Sequence, residues 1–130
     1  MTQILQPPGW AQPRGYSNGL VMSGRLVFIA GQIGWDAQQQ FPSEDFADQT
    51  QQALQNILTL VAEAGGKAEH IARLTWFVVD KQEYLASTKK LSKIYRELMG
   101  THYPAMSVVQ VTALIEDAAK VEIEATAVIP

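Results

Sequence analysis

The chain has 130 residues, 47% hydrophobic and 18% charged, with ten basic against thirteen acidic side chains and a net charge of −3. That length supports one domain with a real core (1–130), and the composition is that of a folded protein rather than a disordered one. The acidic balance argues against nucleic acid as a partner, and the absence of cysteine excludes disulfides, thiolate nucleophiles and Cys-ligated metals.

The N-terminus, Met1 to Pro8, has no basic segment followed by an apolar run, so no secretory signal is expected. No stretch approaches the roughly 20 apolar residues of a membrane span, and a cytoplasmic setting is expected. Residues 1–19 hold Pro7, Pro8, Pro13, Gly9, Gly15 and Gly19 and read as a loop-rich segment with room for a short extended piece. Leu20–Met22 and Arg25–Ala30 read as two strands joined by a two-residue hairpin turn at Ser23-Gly24. Glycines at 31 and 34 then allow a close approach to the backbone.

From Ser43 the period becomes helical, with Phe46, Thr50, Ala53, Leu54, Ile57 and Val61 on one face. Ser43 is the expected N-cap, and Gly65-Gly66 the stop. Arg73–Val79 is β-branched and aromatic and reads as a strand. Asp80 is expected to cap a second helix whose apolar face is Tyr84, Thr88, Leu91, Tyr95 and Leu98, ending at Gly100. Strands Ala105–Ala113 and Lys120–Val128 close the chain around a turn at Glu116-Asp117. The order is ββαβαββ, an α/β (α+β) arrangement of one sheet with two helices on one face. The other face must meet solvent or another subunit.

Strand alternation puts Val121, Ile123, Ala125 and Ala127 on one face and Glu122, Glu124 and Thr126 on the other. If the last two strands are neighbours, Met106 and Val108 share the glutamate face, which suggests a subunit interface with a pocket in it.

Several blocks carry a family resemblance: Gly15-Tyr16-Ser17, Val27-Phe28-Ile29-Ala30-Gly31-Gln32-Ile33, Gln52 to Ile57, Leu60 to Gly65, Pro104-Ala105, and Val121-Glu122-Ile123-Glu124-Ala125. In this order they resemble the RidA/YjgF (endoribonuclease L-PSP-like) family of imine and enamine deaminases. The resemblance implies a chorismate-mutase-like sandwich assembled as a homotrimer, with small-molecule pockets between subunits; no metal or cofactor is expected. Tyr16, Gly31 and Glu122 match pocket residues of the catalytic members. Met106 stands where those members hold the substrate carboxylate with arginine, and Ser92 where many have asparagine. Trp35 follows a loop that is commonly smaller. The chain thus resembles an arginine-lacking branch.

A thioether cannot replace a bidentate guanidinium. Negligible activity on 2-aminoacrylate or 2-iminobutyrate is therefore expected, with Glu122 and Tyr16 as the catalytic candidates. Gly31, Met106, Val108, Trp35 and Arg14 are the candidates for substrate binding, Arg14 as a substitute anchor or an ordinary exposed loop cation. If Glu122 is buried beside Glu124, its carboxyl should hold its proton more tightly and serve as a general acid or base. Solvated or interface-paired glutamates are the equal alternative. Trp10 and Trp35 read as packing aromatics or pocket walls. Lys89, Lys90, Lys93 and Arg96 read as a solvated helix face rather than an RNA-binding stripe. His70 and His102 lack the partners of a triad or metal site. Three functions compete: a deaminating hydrolase of an atypical enamine or imine, a trimeric ligand-binding or regulatory protein, and, disfavoured by the charge, a ribonuclease or translation inhibitor.

Overall fold

A computed structural model describes residues 2–130. Six strands and three helices follow one another as β1 (Thr2–Leu5), β2 (Gly19–Met22), β3 (Arg25–Ile33), α1 (Phe46–Glu63), β4 (Ile71–Val78), α2 (Lys81–Ala86), α3 (Thr88–Met99), β5 (Ala105–Gln110) and β6 (Val121–Ile129). A single 3-10 turn, Ala68–His70, leads into β4.

The periodic segment is α1, and its N-cap is Asp45 rather than the expected Ser43. The Asp45 carboxylate accepts the Asp48 N–H at 3.0 Å, while Ser43 accepts from the Asp45 N–H and donates to the Asp48 carboxylate. The cap moved because a carboxylate two residues on offers the stronger acceptor to the same orphan donors. At the far end Gly66 N–H bonds Val61 O and Gly65 N–H bonds Ala62 O, the paired bonds of a Schellman stop.

The main sheet has four strands in the order β3-β6-β4-β5. β6 is antiparallel to both its neighbours, and β5 runs parallel to β4. Ala53, Leu54, Ile57 and Val61 of α1 pack with Ile71, Leu74, Trp76 and Val78 of β4 and with Val121, Ile123, Ala125 and Ala127 of β6, all buried. Each large aliphatic side chain removed from water here contributes about 1.5–3 kcal/mol. Leu91, Tyr95 and Met99 of α3 complete that layer.

Three expectations are corrected. β2 does not pair with β3; it forms a separate two-stranded sheet with β1, the short extended piece of the N-terminal segment. The second helix is two helices: Asp80 caps α2 as expected, accepting from Gln82 N–H at 2.8 Å, but the chain breaks at Ser87 before α3 begins. The last two strands are not neighbours, because β4 lies between β5 and β6. Reading across that order, Leu74 pairs with Met106 and with Ala125, whereas Thr75 pairs with Ser107 and with Glu124. Met106 and Val108 therefore face the helices, and it is Ser107 and Val109 that share the glutamate face. The sequence gives alternation within a strand, but not which strand intervenes.

The face away from the helices carries Glu122, Glu124 and Thr126 together with Leu26, Phe28, Thr75, Phe77, Ser107 and Val109. None of these is buried.

Candidate functional site

α1 covers β3 and β6 and meets α3. Beyond α3 the edge strand β5 is only partly covered, and a cavity of about 850 Å³ opens there. Its floor is Trp76 of β4 with Met106 and Val108 of β5. Its wall is Tyr84 of α2 with Leu91, Ser92 and Tyr95 of α3, and Arg14, Tyr16, Tyr103 and Arg96 stand around it. The volume is within the range of small-molecule sites.

Each wall residue is placed by local structure. Tyr84 of α2, three residues before the break at Ser87, sits edge-on to Trp76, ring centroids 6.1 Å apart at 87°, and edge-on to Phe46 at 6.4 Å. Tyr95 stacks on Tyr103 at 5.5 Å with the rings 8° from parallel, and its hydroxyl donates to His102 O. Burial, then the Tyr103 phenol beside it, pushes the Tyr95 hydroxyl well above the ordinary tyrosine range, and burial raises Tyr84 too. Both are neutral donors at physiological pH. The indole N–H of Trp76 is buried with no hydrogen-bond partner among the described residues, which leaves a donor in the cavity floor.

Tyr16 enters this site because its neighbour is fixed. Ser17 N–H bonds Pro104 O at 3.0 Å, its hydroxyl donates to Tyr103 O, and it bridges to Ala105 on the edge of β5. Ser17 is buried although it lies in a loop. Arg14 and Tyr16 are thereby held at the mouth, both exposed.

The expected pocket residues thus fall into two groups. Arg14, Tyr16, Met106 and Val108 converge on the cavity. Gly31 and Glu122 lie elsewhere: the β3–β6 register slips by one residue between Ile29 and Gln32, and a β-carbon at Gly31 would collide with the Glu122 carboxylate. β3 is three strand spacings from β5, about 14 Å, and Glu122 faces away from the helices. Glu122 is only half-buried and Glu124 is exposed, so the desolvation expected for the pair is not supplied within one chain. Trp35 belongs to neither group. It packs on Phe41 at 5.9 Å, and its carbonyl accepts from Asn56 at 2.9 Å. Trp10 is exposed.

Trp76, Tyr84, Tyr95, Tyr103 and Arg96 were not legible as cavity residues, because their spacing marks them as core, as loop or as a solvated helix face. The two histidines serve the backbone: His70 Nδ1 accepts from Lys67 N–H, and His102 Nε2 lies 2.7 Å from Ile71 O. Among the described residues no group of three or more His, Cys, Asp or Glu is placed to hold a metal ion, and no helix is long and apolar enough to cross a membrane.

A four-stranded mixed sheet with helices on one face and a small-molecule-sized cavity at its parallel edge defines an α+β protein with an edge-strand site. Within that class the chain belongs to the endoribonuclease L-PSP family, the RidA/YjgF family, whose model matches residues 10–129. It is 35% identical to the 2-iminobutanoate/2-iminopropanoate deaminase of Salmonella typhimurium over 81% of this chain and 80% of that protein. Among solved structures it is similar to YyfB of Yersinia pestis, a protein of the conserved Rid family, with a TM-score of 0.88, 30% identity and 98% of each chain covered. Its TM-score with Escherichia coli TdcF bound to serine is 0.72, at 33% identity over 98% of this chain and 99% of the other.

Proposed function

We propose that the chain deaminates a reactive enamine or imine other than the usual 2-aminoacrylate-type substrate, in a cavity completed by a neighbouring copy within a homotrimer. The observation that carries this reading is the convergence of Arg14, Tyr16, Met106 and Val108 on one cavity while Gly31 and Glu122 sit together near the opposite edge of the sheet. A second copy laid with that edge against the cavity unites the two groups. The relatives named as a 2-imino acid deaminase and bound to serine support chemistry at an amino- or imino-bearing carbon.

The reaction needs proton transfers and little else. An enamine takes a proton on carbon and becomes an imine. Water adds to the C=N carbon, and Glu122 accepts the proton it loses. The carboxyl returns that proton to nitrogen and, as the C–N bond breaks and ammonia leaves, takes the proton of the new hydroxyl, so that a carbonyl remains and the carboxyl is again able to protonate the next enamine at carbon. Tyr16 donates to the substrate at the cavity mouth. Met106 offers an apolar surface where a carboxylate would need a cation, which leaves Arg14 and Arg96 as the charged groups that line the same cavity. The aromatic walls favour a planar substrate larger than a three- or four-carbon imine.

Ammonia release from a panel of aliphatic and aromatic enamines and imines, with Glu122→Gln in parallel, tests this. Turnover of larger substrates that the variant loses is the expected result. Equal rates on 2-iminobutyrate would overturn the substrate assignment, and full activity of Glu122→Gln would overturn its role. The substitution at Met106 favours one second reading, a trimeric ligand-binding or regulatory protein. Tight binding without turnover in either protein would support it.

A further inference from the structure

We propose that the β1–β2 hairpin is exchanged between copies, with β2 of one chain adding antiparallel to the open outer edge of β3 in the next. This deepens the trimeric reading above and rests on it for the number of copies. Two open edges in one chain carry the inference. β3 pairs only with β6, so its nine residues have a free outer edge among the described residues. Among the described residues β2 pairs only with β1, and the hairpin makes no substantial contact with the main sheet. A two-stranded hairpin alone is marginal in water, and an open edge is a template for another strand.

The chain cannot satisfy both edges by itself. Ser23-Gly24 is short enough for a two-residue turn that would fold β2 onto its own β3. That turn would set Met22 opposite Arg25, Gly19 opposite Phe28 and Ser17 opposite Ala30. Ser17 would then lie four strand spacings from β5, about 19 Å. Yet Ser17 is buried and bonded to Pro104 and Tyr103 at the β5 edge. Gly24 is instead opened to φ 151°, against the Ile129 carbonyl at the end of β6, and does not turn the chain. Self-pairing and the Ser17 anchor exclude one another in one chain and are compatible between two.

The facing surfaces are complementary in the same register. Phe28, 76% exposed, would cover Gly19, a position without a side chain that already lies against Leu5. Leu26, 61% exposed, would meet Val21, 47% exposed. The register continues to place Tyr16 opposite Gly31 of the partner subunit, beside the partner subunit's Glu122. Each cavity then receives its missing residues from the copy that receives its hairpin. A ring in which every copy gives to the next closes without leaving an open β3 edge.

The chain has no cysteine, so Val21→Cys with Leu26→Cys reports the pairing directly; directly opposed strand residues bring their β-carbons about 4.5–5.5 Å apart. After mild oxidation and non-reducing electrophoresis, covalently linked oligomers up to the trimer are expected. A monomer band without free thiols, the product of an intrachain bridge, overturns exchange, and so do free thiols that never pair. Co-refolding the two single variants guards against misfolding of the double one, with a Val21→Cys to Leu26→Cys linked pair expected and unlinked chains overturning. Light scattering of the unmodified chain separates the two readings. A trimer with intrachain bridges removes exchange alone, and a monomer removes the shared site as well.

Discussion

Gly31 and Glu122 are packed so closely that a β-carbon on the first would occupy the space of the second's carboxylate. Gly31→Ala must therefore displace Glu122 while touching none of the buried core. A misplacement of about 1 Å at a reacting group costs on the order of 100-fold. We expect kcat/KM to fall by about that factor with the melting temperature little changed. Steady-state ammonia release and a thermal scan of the same sample read the two quantities.

Arg14 is the loop cation at the cavity that Met106 lines. A charged hydrogen bond to a substrate carboxylate is worth about 2 kcal/mol, which is roughly thirtyfold in affinity. Arg14→Gln should raise KM by about that amount for carboxylate-bearing substrates and leave neutral ones unchanged. Equal losses for both classes would show that Arg14 acts on the loop and not on the ligand.

Gln49 holds two ends of the fold together from inside. It is 1% exposed, its amide donates to Ser43 O and Ala118 O, and its carbonyl accepts from Lys120 N–H. Gln49→Leu keeps the bulk and orphans these backbone groups. At about 1 kcal/mol for each lost bond the variant should be about 3 kcal/mol less stable, melting roughly 10 °C lower. Urea titration gives the free energy.

Tyr95 gives the fold an alkaline limit. Its phenol is raised by burial and by Tyr103, so above about pH 10 the unfolded chain releases a proton that the folded chain retains. The folded state binds more protons there, and stability falls as pH rises, by up to about 1.4 kcal/mol per pH unit. Below that pH the contribution is complete. Urea midpoints between pH 9 and 11 should drop steeply, and less so in Tyr95→Phe; the remainder belongs to Tyr84, which burial also raises.

The sequence made α1, the main-sheet strands and the family legible because each rests on local periodicity or local motif. Leu54, Ile57 and Val61 could only be a buried helical stripe, and Val121, Ile123 and Ala125 only a buried strand face. What it misplaced depends on pairing between distant segments. Met106 went to the wrong face because β4 inserts between β5 and β6, and nothing in either strand announces that. Ser23-Gly24 looked like a turn because turn chemistry is local, whereas Ser17 at the β5 edge is a contact across 86 positions of chain. Tyr84 and Tyr95 were read as the apolar face of a helix; Tyr95 is core and Tyr84 packs against it, and a cavity wall and a core share one periodicity.

The break at Ser87 leaves α2 with six residues, too few to be stable as an isolated helix. Tyr84, the side chain it contributes, touches Phe46 and Trp76 edge-on and otherwise faces the void. This short segment is tied to the rest of the fold by those two aromatic contacts, by the Lys81 N–H donating to Gln110 at 2.7 Å and by the partly exposed Glu83–Lys120 ion pair at 3.2 Å. Its backbone amides should exchange with solvent faster than those of α1 or α3, and a molecule that fills the cavity should slow residues 81–86 more than any other part of the chain.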